Sequence, residues 1–414
     1  FTLPTGTFTV SHTFNNLTIN RLNDLSLSDQ MISLTGKLLV SSGTLNTNDN
    51  LTLRSSATQT ALIDGAGNGE VLGDVIMQRY LTSGFGYKYF SSPFQAATVA
   101  EFGDDMDLTA AFPTFYTYIE NKETTGWTGY NDPSGILSPF AGYCINFGTN
   151  ASATTADVTG VVNNGTIGPL ALFNNDKTYT KGFNLLGNPY PSPIDWNAED
   201  GWTKTNIDDG IYFFNAGTTD QFTGTYSSYV NGISSDGIAG NIIPSMQGFF
   251  VHVTDGAFPV SGSISISNQA RVSHLSPVFH KSQQSRLEPM VRLSAEFMND
   301  SKAADPLVLY LDQTASANFE KETDALKIYN TTSEVPSLFA ISGDNRQLSI
   351  GAFPYPDIET EIALGIKTEI SGTLILKMIS SENIPGSLGI YLKDKASGRI
   401  QNLDKHSDYT FSVE

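Results

Sequence analysis

The sequence predicts an all-β protein, and three observations carry that expectation. Thr, Val, Ile, Tyr and Phe recur in short alternating runs that suit a pleated, half-buried surface. Few segments offer the Ala/Leu/Glu/Lys periodicity of a stable helix. Turn residues, with Gly (37) foremost among the Ser, Thr and Asn runs, separate one apolar run from the next. At 414 residues the chain has room for roughly two to four domains, each large enough to bury its own core without disulfide staples.

Residues 1–80 come first, as an N-terminal strand followed by a short β-solenoid. Leu17/Ile19, Leu25/Leu27, Ile32/Leu34, Leu38/Val40 and Leu51/Leu53 each place two apolar residues on one face of a short strand, with Asn, Asp and Gly between strands. Several such rungs at loose spacing are stable only if each buries its inward face on the next.

Residues 81–270 read as a duplicated β-sandwich region. The blocks YKYFSSPF, FPTFYTYIEN, TTGWTGYN and ILSPFAGYCINFG recur in the same order as FNLLGNPYPSPIDW, DDGIYFFNAG, TTDQFTGTYSSY and IIPSMQGFFVHVT. Pro93 then matches Pro189, Trp127 matches Phe222, Gly129 matches Gly224, Gly142 matches Gly248, and Cys144 falls on Phe250. Residues 271–286 are polar, lack alternation and read as a linker. Residues 287–414 hold eight or nine strand-like runs, from MVRLSAEF to YTFSV, at the spacing of a C-terminal β-sandwich of jelly-roll type.

GFNLLGNPYPSPIDW followed about fifty residues later by IPSMQGFFVHV resembles the repeated module of large secreted surface proteins of Bacteroidota. QRYL, SSPF, DPLVLYLD, FEKETDALKIYN and LFAISGDNRQLSIGAFP fit the same pattern. The resemblance implies export by the type IX secretion system, an extracellular or cell-surface location after signal-peptide removal, and a structural or adhesive role. Two departures stand out: no sorting domain follows Glu414, and the last sandwich stops one strand earlier than in the relatives. A sheet one strand short invites a strand from a neighbour. Phe1/Leu3 and Phe8/Val10, alternating around Gly6, make the segment FTLPTGTFTV a candidate donor, and the chain then becomes a self-assembling filament subunit.

The charge narrows the partners. Residues 81–270 carry 5 basic against 17 acidic side chains within a chain of net charge −19, a surface that repels phosphate backbones and anionic membranes. No run is long and apolar enough to span a bilayer as a helix. The expected partners are other copies, other surface proteins or glycans.

Convergent reactive groups are what an enzyme requires, and none is legible, so the chain is expected not to be an enzyme. His12, His252, His274, His280 and His406 form no paired-ligand spacing, and GxSxG, P-loop and dinucleotide motifs are absent. Cys144, on the place of Phe250, reads as a small core hydrophobe. The acidic clusters Glu101/Asp104/Asp105/Asp107, Asp195/Glu199/Asp200 and Asp208/Asp209 read as solvated loop charges. No cofactor is expected; oxygen-rich loops at Asp64–Glu70 and Asp104–Asp107 would suit calcium, but neither follows the EF-hand pattern. Trp127, Tyr130, Trp202 and Tyr226 lie near turns and are the candidate glycan-stacking residues, the basis of an alternative reading as a carbohydrate-binding module, which ranks ahead of a glycan-active enzyme built on a carboxylate pair.

Overall fold

The computed structural model describes residues 11–27, 31–276, 288–298, 303–356 and 359–414. The protein is all-β. The only helical segments among the described residues are two 3-10 turns, Val99–Phe102 and Asn268–Ala270. By contacts the chain forms two compact units. One takes the described residues up to Ile207 and those from Ile242 to residue 276; the other takes 208–241 and everything described from 288 onward.

The first unit begins with three parallel ladders. Ile32–Leu34 pairs with His12–Phe14 on one side and Leu51–Leu53 on the other, and Leu51–Leu53 pairs in turn with Asp74–Leu81. Leu17–Asn20, Lys37–Ser42 and Leu62–Ile63 form the second ladder; Leu25–Ser26, Thr44–Asn46 and Glu70–Leu72 form the third. The chain therefore visits three faces per rung. Register makes like residues stack: Leu34 on Leu53 and Leu53 on Met77, Leu38 on Ile63, Leu25 on Leu45. Leu34, Leu38, Leu45, Leu53 and Met77 are fully buried, so the aliphatic columns are the core of the coil. Asp74–Leu81 ends the parallel run by pairing antiparallel with Thr154–Val162.

The two repeated blocks share one pairing scheme. In the first, Tyr87–Phe90 pairs antiparallel with Tyr143–Asn146, and Phe115–Tyr118 with Trp127–Gly129. In the second, Phe183–Gly187 pairs with Gly248–Val253, and Ile207–Ala216 with Gly224–Val230. Cys144 lies opposite Tyr89 and Phe250 opposite Leu185, so the two occupy matching positions.

Within the first unit the copies exchange equivalent bonds: Ser91 N–H donates to the Met246 carbonyl (3.2 Å) and Gly187 N–H to that of Phe140 (3.1 Å). Phe140 and Met246 are both buried and both adopt positive φ, 69° and 62°. Asn163 bridges the matched prolines, its N–H donating to Pro93 O and its Nδ2 to Pro189 O. Glycine is required where the copies touch, because a Cβ on Gly187 would lie 2.1 Å from Ser91 Cβ and one on Gly142 2.3 Å from Leu186 O. The match of Trp127 to Phe222 does not extend to packing. Trp127 lies in a strand against Tyr118, whereas Phe222 precedes its strand and is 48% exposed.

Residues 271–276, expected to begin a linker, are bonded into the first unit. Arg271 donates to Ser192 Oγ (2.8 Å), Asn268 Oδ1 (3.2 Å) and the Ile63 carbonyl, with its guanidinium 5.0 Å over the Tyr190 ring. Burial lowers its pKa to about 10, so it remains a cation at neutral pH. Of the rest of that segment, residues 277–286 lie outside the described residues.

In the second unit the sheet order is Ala363–Lys367, Ser337–Ile341, Gln347–Phe353, Asp305–Leu311, Met290–Phe297, Gly372–Glu382, Asp408–Val413, with Ala325–Leu326 beside Gln347–Phe353. The hairpin of Ile207–Ala216 and Gly224–Val230, cut from the middle of the duplicated region, supplies packing for this sheet from residue 208 onward. Ser228 Oγ meets Ser349 Oγ at 2.7 Å, and Leu326 N–H donates to Tyr212 Oη at 2.8 Å. Contacts thus divide the chain differently from the order of the regions expected along it.

Candidate functional site

The sheet of the second unit is open at both ends. Ala363–Lys367 pairs with Ser337–Ile341 and Asp408–Val413 with Gly372–Glu382; no further strand pairs with either among the described residues. An outermost strand presents unpaired N–H and C=O groups, which makes it a template for another chain.

The two edges differ in chemistry. Asp408–Val413 alternates exposed Asp408, Thr410 and Ser412 with Tyr409, Phe411 and Val413. It is also guarded. Gln401 Nε2 donates to the carbonyls of Asp408 and His406 (both 2.8 Å), Tyr409 Oη donates to Asp394, and Arg399 lies 5.0 Å over the Tyr409 ring.

Ala363–Lys367 has no polar side chain before Lys367. Its Leu364 and Ile366 lie opposite Ala340 and Leu338, both fully buried, yet are themselves only half-buried. The core row therefore runs out to the sheet edge, where the described residues cover it only in part. Gly365 is held close because the Phe339 ring lies beneath it, where a Cβ would come within 2.3 Å of the ring. Lys367 Nζ rests 4.0 Å over the Tyr329 ring.

Behind this edge lies a buried polar hub. Asp305, fully buried, accepts from Lys327 Nζ (2.5 Å), Leu338 N–H (2.6 Å) and Asn330 Nδ2 (2.8 Å). The run ALKIYN reads as a strand in sequence, but only Ala325–Leu326 is one, because Lys327 and Asn330 turn to Asp305. Asp324 accepts from Ala352 N–H (2.7 Å) and Glu320 N–H (2.8 Å). Burial, reinforced by Glu320 and Asp344, pushes its carboxyl up to about 7 despite those donors.

The residues singled out from the sequence are dispersed. Trp127 packs edge-on against Tyr118 (4.9 Å) and near Phe250, while Tyr130 stacks on Tyr143 (5.8 Å) and donates to Ile136 O. Trp202 packs on Trp196 with its Nε1 donating to Asp195 O, and Tyr226 packs on Phe214. Each of the four glycan candidates thus packs on a different aromatic partner. The donor candidates Phe1, Leu3, Phe8 and Val10 lie outside the described residues.

His252 is buried against Phe183, with Asp255 at 3.8 Å. Cys144 is buried, which pushes its thiol pKa well up and away from thiolate chemistry. The loop from Asp64 is a rung turn: Asp64 caps Ala66 N–H, and Gly69 and Glu70 N–H donate to Val40 O and Gly43 O of the preceding rung.

Around Asp104–Asp107, Asp107 caps Thr109 and Glu101 accepts Thr159 N–H. Desolvation first, then Asp104 and Asp157, raises Asp105 to about 7. Asp208, read as a solvated loop charge, is buried instead, at the start of the hairpin that packs on the second unit's sheet. Among the described residues no three His, Cys, Asp or Glu side chains are disposed to hold a metal ion.

What the sequence did not flag is the Asp305 hub and the contrast between the edges. The signal for the second was present: in ALGIK both alternating faces are apolar up to the lysine, whereas an edge with one wet face alternates apolar with polar.

Parallel rungs, a repeated strand pairing and an edge-open sheet define the molecule as an all-β protein assembled from modules. The chain belongs to the family described as a domain of unknown function, DUF8693, which it matches over residues 4–414. No curated protein and no solved structure matches it.

Proposed function

We propose that this chain is an extracellular, cell-surface structural or adhesive protein without enzymatic activity, and that copies assemble by strand donation, residues 1–10 of one adding to the C-terminal sheet of the next. The observation that carries this reading is the open sheet: both terminal strands present backbone groups on a side where no described strand pairs. The donor chemistry fits, since FTLPTGTFTV has no charged side chain and alternates apolar residues at Phe1/Leu3 and Phe8/Val10. The resemblance to secreted surface proteins of Bacteroidota points the same way and carries the proposal of type IX export.

Side-chain chemistry supports a structural role as well. Glu101, Asp305, Asp324 and Glu120 accept hydrogen bonds from the backbone N–H groups of Thr159, Leu338, Ala352 and Asn175, so each is engaged in holding the fold.

Electron microscopy of the native material, beside a sample lacking residues 1–10, tests the proposal. Filaments in the first and single particles in the second are expected. Monodisperse particles in both samples would refute assembly by donation and shift attention to glycan screening.

A further inference from the structure

The two edges of the second unit's sheet are not equivalent acceptors, and their difference selects one. Resting on the strand-donation reading, we propose that the acceptor is Ala363–Lys367: residues 1–10 of a second copy pair along its open side, with Phe8 and Val10 continuing the row of Leu364 and Ile366.

Three observations carry this. Leu364 and Ile366 extend a row whose neighbours, Ala340 and Leu338, are fully buried, yet they are half-buried themselves, so an added strand with apolar residues two apart completes a row already begun. Asp408–Val413 instead carries polar residues on its exposed face and is flanked by the Gln401, Asp394 and Arg399 contacts, the kind of guard that discourages edge pairing.

The third observation is charge. Glu359 and Glu369 are exposed on either side of Ala363–Lys367, while Glu361 is paired with Lys393 at 2.7 Å, and the chain as a whole is at −19. A segment with acidic side chains would be repelled there. Residues 1–10 have none. Ten extended residues span about 33 Å, twice what a five-residue edge needs, so Phe8 to Val10 can be placed without stretching the donor.

The experiment mixes chains of residues 1–414 that each carry one introduced cysteine and differ in mass. Phe8→Cys is paired with Leu364→Cys or Ile366→Cys, and separately with Phe411→Cys, under mild oxidation; native Cys144 is buried in all of them. The expected result is a disulfide-linked hetero-dimer with either Ala363–Lys367 variant, about tenfold more abundant than with Phe411→Cys, because pairing raises the local thiol concentration. Using two acceptor positions guards against one variant misfolding.

Hetero-dimer mainly with Phe411→Cys would overturn the assignment and leave strand donation standing. An intrachain disulfide in a Phe8→Cys/Ile366→Cys chain, without dimer, would mean the segment caps its own sheet and would also overturn it. No cross-link at either edge, together with single particles in the microscope, would overturn both the assignment and strand donation.

Discussion

Removing Asp305 should damage the second unit more than removing Lys327, although the two form one ion pair. The pair is wholly inside the protein, with side-chain exposures of 2% for Lys327 and 0% for Asp305 at 2.5 Å. Breaking a buried pair by deleting one partner typically costs about 3–5 kcal/mol, because the survivor is an uncompensated charge. Lys327→Met leaves Asp305 with two neutral donors, Leu338 N–H and Asn330 Nδ2, and so belongs near the lower end, about 3 kcal/mol. Asp305→Ala strands the ammonium and also the buried Leu338 N–H, an orphaned donor worth about 1–3 kcal/mol more.

Against a typical domain stability of about 5–15 kcal/mol, either loss is large. All three tryptophans, Trp127, Trp196 and Trp202, lie in the first unit, so indole fluorescence reports the wrong part of the molecule. Hydrogen exchange read by mass spectrometry on peptides covering 305–311 and 337–341 reports the right one. Both variants should lose protection there while peptides of the solenoid are unchanged, with Asp305→Ala the worse. Equal losses, or Lys327→Met the more damaging, would refute the view of Asp305 as the acceptor on which three donors depend.

Further outcomes follow from the same structure. Arg271→Ala should cost about 3 kcal/mol, since it removes a buried cation and strands the acceptors it serves. Faster exchange around residues 60–64 and 188–194 would confirm this, and unchanged exchange would return Arg271 to the linker. Asp105 titrates near 7 in the folded protein against 3.8 when free, so the folded state binds its proton more tightly. The stability it contributes is complete below about pH 4 and is lost as pH rises through 7. Asp105→Asn should therefore flatten the fall in melting temperature between pH 5 and 8, with wild type and variant closest at pH 5; parallel profiles would contradict the shift. Gly187→Ala, which forces a Cβ against Ser91, should destabilise the junction between the repeated blocks, read as a lowered melting temperature.

The solenoid was legible because its information is local. Leu17/Ile19, Leu38/Val40 and Leu51/Leu53 announce inward faces by alternation alone, and stacking follows from repetition. The duplication was legible for a related reason: the order of GNPYPSP-like and GFFVHV-like blocks is preserved, and the structure gives them matching registers. What escaped depends on partners far along the chain. Nothing in RVSHLSPVF says that Arg271 reaches Ile63, more than two hundred residues away. The run DDGIYFFNAG looks like its counterpart in the first copy, yet its Tyr212 hydroxyl is met by Leu326 in the C-terminal strands, and so it groups with them. ALKIYN has the period of a strand; a buried carboxylate twenty-two residues earlier overrules it.

This division also bears on where function resides. Local pattern fixes which strands form, while polar side chains act over distance to lock them: Asn163 on two prolines, Arg271 on three segments, Asp305 on three donors. Groups so engaged are held by the fold and are costly to release for chemistry on a ligand. Backbone at the rim of the second unit's sheet is the reverse case, with hydrogen-bonding capacity that no described strand uses and an apolar row beside it left half-covered. A strand from a neighbour would satisfy both at once, main chain by ladder and side chains by burial, and the lysine that ends Ala363–Lys367, drawn onto the Tyr329 ring, leaves the apolar part of that edge clear.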